Sequence, residues 1–379
     1  MQLSLKPVSH AYLSLGSNLG NRFGHLQAAV GAVFENVGNI VGLSSVYEST
    51  AVGFTGPAFL NCALHVTTQL SPDKLLGAVL AIEKGLGRRR GGKGYTSRTI
   101  DIDILLIDDK KIASKKLTVP HPRMPDRSFV LQPLAEVAPN LLHPVLQKKI
   151  GALLAGARGK SGVVKQAGQL HNPQRDLDIS KYNYIAIEGN IGAGKTSLAT
   201  KMAHGFNAKL ILERFKQNPF LPKFYGDPAR FAFPLEMSFL ADRYQQLLED
   251  IAQFDLFKDC VVADYSFYKS YIFAKITLPD EEFNLYKKLF GIMQKELPRP
   301  DRYVYLYQTP ERLLQHIKKR GRTYEREIKP PYLSKINNGY FEHIKTLPAA
   351  NVKTIDISEM DFMASRKDYL HILREIVSG

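Results

Sequence analysis

The sequence predicts two domains of different class: a mixed α+β unit over residues 1–165 and an α/β unit with a parallel sheet flanked by helices over residues 182–379, joined by a linker at 166–181. Three observations lead there. The chain has 379 residues, more than the ~100–200 that one ordinary core occupies. Ahead of residue 165 strand-like and helical runs mix irregularly, whereas after 182 strands are separated by long helical patterns, the arrangement of a doubly wound sheet. Between them QAGQLHNPQRDLDISK, Gln166 to Lys181, is polar, poor in large apolar residues and without a period.

In the first domain Ala11–Leu15, Ala63–Thr67 and Ile100–Ile107 read as strands, and Arg22–Val37 and Pro72–Leu86 place apolar residues at helical spacing. In the second, Tyr184–Glu188 is a short apolar strand feeding a glycine loop, and Val261–Asp264 and Tyr303–Tyr307 are later strands. No internal repeat or low-complexity tract interrupts either half.

Hydrophobic residues make up 44% and charged ones 23%, average usage for chains that bury a core. No apolar run approaches the ~18 residues of a membrane helix, and Met1 to His10 lacks the apolar stretch of a secretory signal. The two cysteines, Cys62 and Cys260, stand too far apart for a disulfide framework or zinc-site spacing. A cytoplasmic location and no membrane partner are expected. The net charge of +15 is spread over both halves: residues 1–180 hold 21 Lys and Arg against 12 Asp and Glu, the remainder 30 against 24. With no basic domain and no nucleic-acid-reading motif, small phosphate-bearing substrates are expected and nucleic acid is not.

The run GNIGAGKT, Gly189 to Thr196, fits the phosphate-binding loop that joins a strand to a helix. Backbone N–H groups across Gly189, Asn190, Gly192, Ala193, Gly194 and on to Ser197 would surround the phosphates. Lys195 would reach the outer ones, and the Thr196 hydroxyl would face magnesium. ATP with Mg²⁺ is the expected ligand of this half.

Further residues in this half resemble the deoxyribonucleoside kinases over almost all of 182–345. In ILERF, Glu213 stands where that family places the base that takes the proton of the sugar 5′-hydroxyl, a role that suits a carboxylate at a strand's end. Taken alone, it has a second, lesser reading as a surface residue paired with Arg214 or Lys216. The segments NPFLPKFY and FAFPLEMSFLADR resemble the nucleoside-binding helices. By that likeness Tyr225 contacts the sugar 3′-hydroxyl and Arg243 contacts the base, although alone Arg243 reads equally as a solvated helix residue. Phe231, Phe233 and Phe239 read as core.

Two positions depart from the family. Glu236 stands where the family has a glutamine that pairs with the base. A carboxylate only accepts hydrogen bonds, and guanine offers two neighbouring donors, so a purine is expected, guanine before adenine. In ADYS, Asp264 can serve magnesium, but Tyr265 replaces the arginine that the family keeps near the 5′-hydroxyl. KKRGRTYERE resembles the family's lid, which implies that Arg320 and Arg322 close over the transferring phosphoryl group and that Glu325 meets the 3′-hydroxyl. On composition alone this basic run reads as a solvated helix end.

The densest chemistry of the first domain is SRTIDIDILLID followed by VPHPRMPDRSF. Asp101 and Asp103, two apart on a strand, point to one face, where they either hold magnesium beside substrate phosphates or form a solvated face; spacing leaves both open. Together with LGSNLGNR and FLN, these motifs resemble hydroxymethyldihydropterin pyrophosphokinase of folate synthesis over residues 11 to about 165. The likeness implies a ferredoxin-like α+β fold and transfer of the terminal pyrophosphate of ATP to the pterin hydroxymethyl group, with release of AMP. It gives Asp101 and Asp103 two magnesium ions and makes Arg88 and Arg98 stabilise phosphates, with Arg90 beside them on the glycine-rich loop Gly87 to Tyr95. His121 and Arg127 would contact ATP phosphates, Asn61 the pterin amide edge, Phe59 and Phe129 the two ring faces, and Tyr95 would cover the ring. Ser49, Thr50 and Ala51 replace a proline-containing stretch near the pterin. His121 by itself reads as a structural histidine.

The sequence therefore predicts a bifunctional magnesium-ATP transferase, with pairing of two copies through the kinase domain. A nucleoside monophosphate kinase or a degenerate nucleotide-binding regulatory module is the alternative for the second half.

Overall fold

A computed structural model describes residues 7–88, 96–157, 162–215, 218–252 and 258–379. Two compact units are present, Met1–Leu177 and Asp178–Gly379.

The first runs β1 (Ser9–Ser17), α1 (Arg22–Asn36), β2 (Asn39–Leu43), β3 (Tyr47–Ser49), β4 (Phe59–Thr68), α2 (Pro72–Gly85), β5 (Asp101–Ile107), a small hairpin of β6 (Ile112–Ala113) and β7 (Thr118–Val119), α3 (Ser128–Val137), α4 (Ile150–Gly156) and β8 (Val163–Lys165). The main sheet has the order β5-β1-β4-β3-β8, with β2 also on β4, and its pairings are antiparallel. Helix α1 begins where the Asn21 side chain accepts the Gly24 N–H, satisfying one of the amides a helix start leaves open. On one sheet face Tyr12, Ala63 and Leu105 are sealed by Val130, Leu131 and Leu134 of α3 and Ile150 of α4. Strand alternation puts Asp101 and Asp103 on the face of Leu105, beyond that apolar cover.

The stretch 166–181 is not the free linker that its composition suggests. The Gln166 N–H bonds to the Val46 carbonyl and that of His171 to the Gln27 side chain, while Asn172 donates to the Ile40 carbonyl. A 3₁₀ turn at Pro173–Leu177 follows, and Leu170 and Leu177 are buried. Backbone N–H groups and one side chain of this stretch are thus bonded to the first unit, and the unit boundary falls at Leu177/Asp178.

The second unit runs β9 (Tyr184–Gly189), α5 (Lys195–Gly205), β10 (Lys209–Ile211), α6 (Leu221–Gly226), α7 (Pro228–Ala252), β11 (Val261–Ala263), α8 (Tyr268–Thr277), α9 (Asp280–Met293), β12 (Arg302–Tyr307), α10 (Pro310–Arg320), α11 (Pro330–Ile344), β13 (Val352–Asp356) and α12 (Arg366–Val377). Its sheet, β10-β11-β9-β12-β13, is parallel throughout. Strand β9 is buried along its whole length, as a central strand covered on both faces must be. Its one carboxylate, Glu188, is fully buried: Oε1 accepts from the Ser266 N–H (2.7 Å) and hydroxyl (2.9 Å), Oε2 from Tyr340 (2.8 Å). Burial pushes its carboxyl pKa up against the pull of Lys269 and Lys195. Both cysteines are free and buried, and no helix among the described residues is long and apolar enough to cross a membrane.

Candidate active sites

In the first unit the open face of β1, β4 and β5 forms the floor of a cavity of about 230 Å³. The register puts Gly16 of β1 between Asp101 of β5 and Asn61 of β4, and Ser14 opposite Asp103. A side chain at 16 would come within 3.3 Å of the Asn61 Oδ1 and 3.5 Å of the Phe59 ring, so a glycine keeps the floor open there. Asn61 is buried, donating to the Ser49 hydroxyl at 3.0 Å. Asp101 is flanked by Arg88 (2.6 Å) and Arg98 (2.8 Å). Arg88 also pairs with Glu83, which is 2% exposed and accepts the Ile102 N–H at 2.9 Å. Burial and the charge of Asp101 raise the Asp103 carboxyl pKa, against Arg127 and Arg98. Two carboxylates on one face, with arginines converging on them, fit an ion that takes one or two carboxylates plus substrate phosphates, as magnesium does. Phe59, Phe129 and Arg127 also line the cavity. His121 stands behind Asp103, its Nε2 4.0 Å from Oδ2, and burial followed by Arg127 lowers its pKa. Arg90 and Tyr95 lie outside the described residues.

In the second unit three chain segments meet at the carboxyl ends of β9, β10 and β11, where open parallel sheets bind ligands. The loop after β9 turns through Gly189 (φ 153°), Gly192 (87°) and Gly194 (87°). At Gly189 a Cβ would lie 2.7 Å from the Leu306 carbonyl, so this turn is closed to other residues. Lys195 Nζ donates to the Gly189 (2.8 Å) and Asn190 (2.9 Å) carbonyls, and the Asn190 side chain points inward to Leu333 and Asn337 of α11. Burial, then the neighbouring Lys269, lower the Lys195 pKa to about 8. Thr196 and Asp264 hydrogen bond directly, and the other Asp264 oxygen accepts the Glu213 N–H at 2.8 Å. A hydroxyl and a carboxylate beside a phosphate loop fit magnesium held with a nucleotide.

The adjoining cavity, about 130 Å³, is lined by Lys195, Glu213, Tyr225, Glu236, Lys269 and Arg320 among others. Glu213, 11% exposed, sits between two cations: Arg243 donates through Nε (2.9 Å) and Nη2 (2.6 Å) to Oε1, and Lys269 through Nζ (2.6 Å) to Oε2. Burial by itself would raise the Glu213 pKa, but these two charges override it and hold the carboxyl well below the usual range. Arg243 also donates to Ser270 at 2.8 Å. Glu236 is 2% exposed; Oε1 accepts from Thr277 at 3.1 Å and Oε2 has no partner among the described residues. Burial, outweighing the attraction of Arg243, raises its pKa to about 7. At the cavity mouth Arg320 (2.6 Å) and Arg322 (3.0 Å) both pair with the buried Glu325, and Tyr225 stacks on Tyr324.

These sites match known families in sequence. The family profile for 7,8-dihydro-6-hydroxymethylpterin-pyrophosphokinase matches residues 12–139, and that for deoxynucleoside kinase matches residues 185–378. The chain is 39% identical over 198 residues to a deoxyguanosine kinase of Bacillus subtilis, covering 51% of this chain and 95% of that protein. It is 42% identical over 144 residues to a 2-amino-4-hydroxy-6-hydroxymethyldihydropteridine pyrophosphokinase of Aquifex aeolicus, covering 38% and 89%. The chain belongs to both families, one in each half. A deoxyadenosine kinase of Dictyostelium discoideum is a further relative of the second half, 34% identical over 169 residues, covering 43% of this chain and 67% of that protein.

In the pyrophosphokinase half Asn61, Phe59, Phe129, Arg88, Arg98, Asp101, Asp103 and Arg127 share one cavity, and His121 stands outside its lining. In the kinase half Gly192, Lys195, Thr196, Asp264, Glu213, Tyr225, Glu236, Arg243, Glu325, Arg320 and Arg322 line the second. Gly189, Asn190, Ala193, Gly194 and Ser197 are outside that lining, and the expected contact of Arg243 with a base competes with the Glu213 and Ser270 bonds it makes. Sequence reasoning missed Glu83, Lys269 and Thr277. For Lys269 a signal existed: it opens the helix after β11, one turn beyond Asp264, at the carboxyl end of a central strand.

Proposed function

We propose that the kinase half transfers the γ-phosphoryl group of ATP to the 5′-hydroxyl of a purine deoxyribonucleoside, deoxyguanosine before deoxyadenosine. The observation that carries this reading is the Glu236 Oε2, buried in the cavity without a partner while Oε1 is held by Thr277. An unpaired buried acceptor is costly, about 1–3 kcal/mol, and the N–H and amino donors of guanine supply what it lacks. Deoxyguanosine kinase and deoxyadenosine kinase among the relatives support the purine class. On this reading Glu213 faces the 5′-hydroxyl, Tyr225 and Glu325 the 3′-hydroxyl, Arg320 and Arg322 the phosphoryl group, and Thr196 with Asp264 the magnesium ion.

In the first half we assign Asp101 and Asp103 to magnesium, Arg88, Arg98 and Arg127 to ATP phosphates, and Asn61, Phe59 and Phe129 to the pterin. The antiparallel sheet and the order β1-α1-β2-β3-β4-α2-β5, with β2 and β3 both paired to β4, support a ferredoxin-like fold. A cytoplasmic location and pairing of two copies through the kinase half complete the reading.

Purified protein with ATP and magnesium, offered each of the four common deoxynucleosides, tests the second half. Deoxyguanosine should give the highest kcat/KM. Because Glu236 titrates near 7 beneath Arg243, Lys269, Glu213 and Thr277, its ionised form prevails above that pH and accepts both guanine donors. Below it the protonated carboxyl offers one donor and one acceptor, the pattern adenine needs. The ratio of kcat/KM for deoxyguanosine over deoxyadenosine should therefore rise as pH passes upward through 7. Glu236→Gln should flatten that dependence and favour deoxyadenosine by about 10-fold or more, one good hydrogen bond's worth. Turnover of none of the four would discard the nucleoside assignment.

A further inference from the structure

The cation missing from the position of Tyr265 has not left the site. Tyr265 itself is fully buried in the apolar core beneath α7 and α8, and its hydroxyl has no partner among the described residues. Four residues on, Lys269 occupies the first turn of α8, 7% exposed, and its Nζ reaches the cavity 2.6 Å from Glu213 Oε2.

The bonding of Glu213 decides where an alcohol can arrive. A carboxylate oxygen has two lone-pair directions. Both on Oε1 are taken by Nε and Nη2 of Arg243. Oε2 holds Lys269 alone, which leaves one direction free. An incoming hydroxyl donating to Oε2 therefore arrives beside the Lys269 ammonium, in the cavity that Lys195, Thr196 and Asp264 also line. A lysine ammonium has three donors on a flexible stem. One holds Glu213, and a second is available to the hydroxyl oxygen.

We propose that Lys269 is a catalytic residue of the kinase half, binding the attacking 5′-oxygen and standing in for the arginine that Tyr265 replaces. The inference rests on the nucleoside kinase reading given above. In the transfer the hydroxyl proton passes to Glu213 Oε2 as the 5′-oxygen bonds to the γ-phosphorus. The bond from that phosphorus to the bridging oxygen breaks, and its electron pair leaves with ADP. Lys269 faces the negative charge that gathers on the entering oxygen, as a fixed donor aimed at developing charge does. Glu188, Lys195 and Asp264 are its other charged neighbours.

The test compares the full-length chain with Lys269→Ala and Lys269→Arg, using ATP, magnesium and the best of the four deoxynucleosides. Lys269→Ala should lower kcat by about 10²–10³-fold, the loss typical of one such donor, with KM for the nucleoside changed only a few-fold. Lys269→Arg should recover much of the rate, and added ethylammonium should raise turnover of the alanine variant in a saturable way. Lys269→Met, which keeps the side-chain length, carries the same comparison if the alanine variant does not fold. Wild-type turnover with kcat of the variants within about threefold, or a loss that neither arginine nor ethylammonium repairs, would overturn the role of Lys269 and leave the kinase reading standing. A wild-type chain inert towards all four nucleosides would remove both.

Discussion

Glu213→Gln is expected to lower kcat for deoxynucleoside phosphorylation by about 10²–10⁴-fold, the usual contribution of a positioned proton acceptor, while ATP binding persists. The substitution has a second effect that a simple catalytic base would not show. Glu213 is the shared partner of Arg243 and Lys269, 4% and 9% exposed at their side chains. Neutralising it leaves two enclosed cations facing each other, and removing one member of a buried pair costs about 3–5 kcal/mol. Thermal unfolding of the kinase half should therefore begin at a markedly lower temperature in this variant, and nucleotide binding followed by titration separates that loss from the catalytic one. An unchanged kcat would move the proton acceptor elsewhere.

The double variant Asp101→Ala with Asp103→Ala should reduce AMP release dependent on hydroxymethyldihydropterin by at least about 10³-fold, since a metal that neutralises phosphate charge supplies several kcal/mol of transition-state stabilisation. Nucleoside phosphorylation by the same protein should be unaffected, so each half serves as the internal control of the other. Here stability should change little: removing both acids relieves the burial cost and the repulsion that raise the Asp103 pKa, but it takes Arg98 from its carboxylate while Arg88 keeps the buried partner Glu83. Retained pterin-dependent AMP release in this variant would place the metal on other ligands.

Strands β5 and β9 and the glycine loop after β9 were legible in the sequence because their signals are local. Apolar alternation marked β5 and the face of its two acids, and the glycine loop needed only eight consecutive residues. What the sequence could not display was pairing across distance: Glu213 meets Arg243 thirty residues on and Lys269 fifty-six residues on. A lysine among aromatic residues on a helix looks like any solvated lysine until the fold buries it. The stretch at 166–177 misled for the converse reason. Polar composition signals a free linker when water satisfies the chain, but here the Gln166 and His171 N–H groups and the Asn172 side chain bond to the segment before β3, the Gln27 side chain of α1 and the backbone of β2 instead. Composition cannot tell those two partners apart. The altered residue Glu236 was readable as chemistry from its type alone, yet its pKa near neutrality came only with its burial.

The segment from Arg320 to Glu325 carries its own counter-charge. Arg320 and Arg322 both rest on Glu325, so on the roles proposed above each substrate claims one half of a single ion pair: ATP draws the arginines and the nucleoside sugar draws the carboxylate. Whichever substrate arrives first loosens the group the other needs. The two binding steps are thereby linked, and linkage is reciprocal: a saturating nucleoside analogue should tighten ATP by the same factor by which ATP tightens the analogue, giving the enzyme a form of mutual commitment in which neither substrate is held firmly without the other.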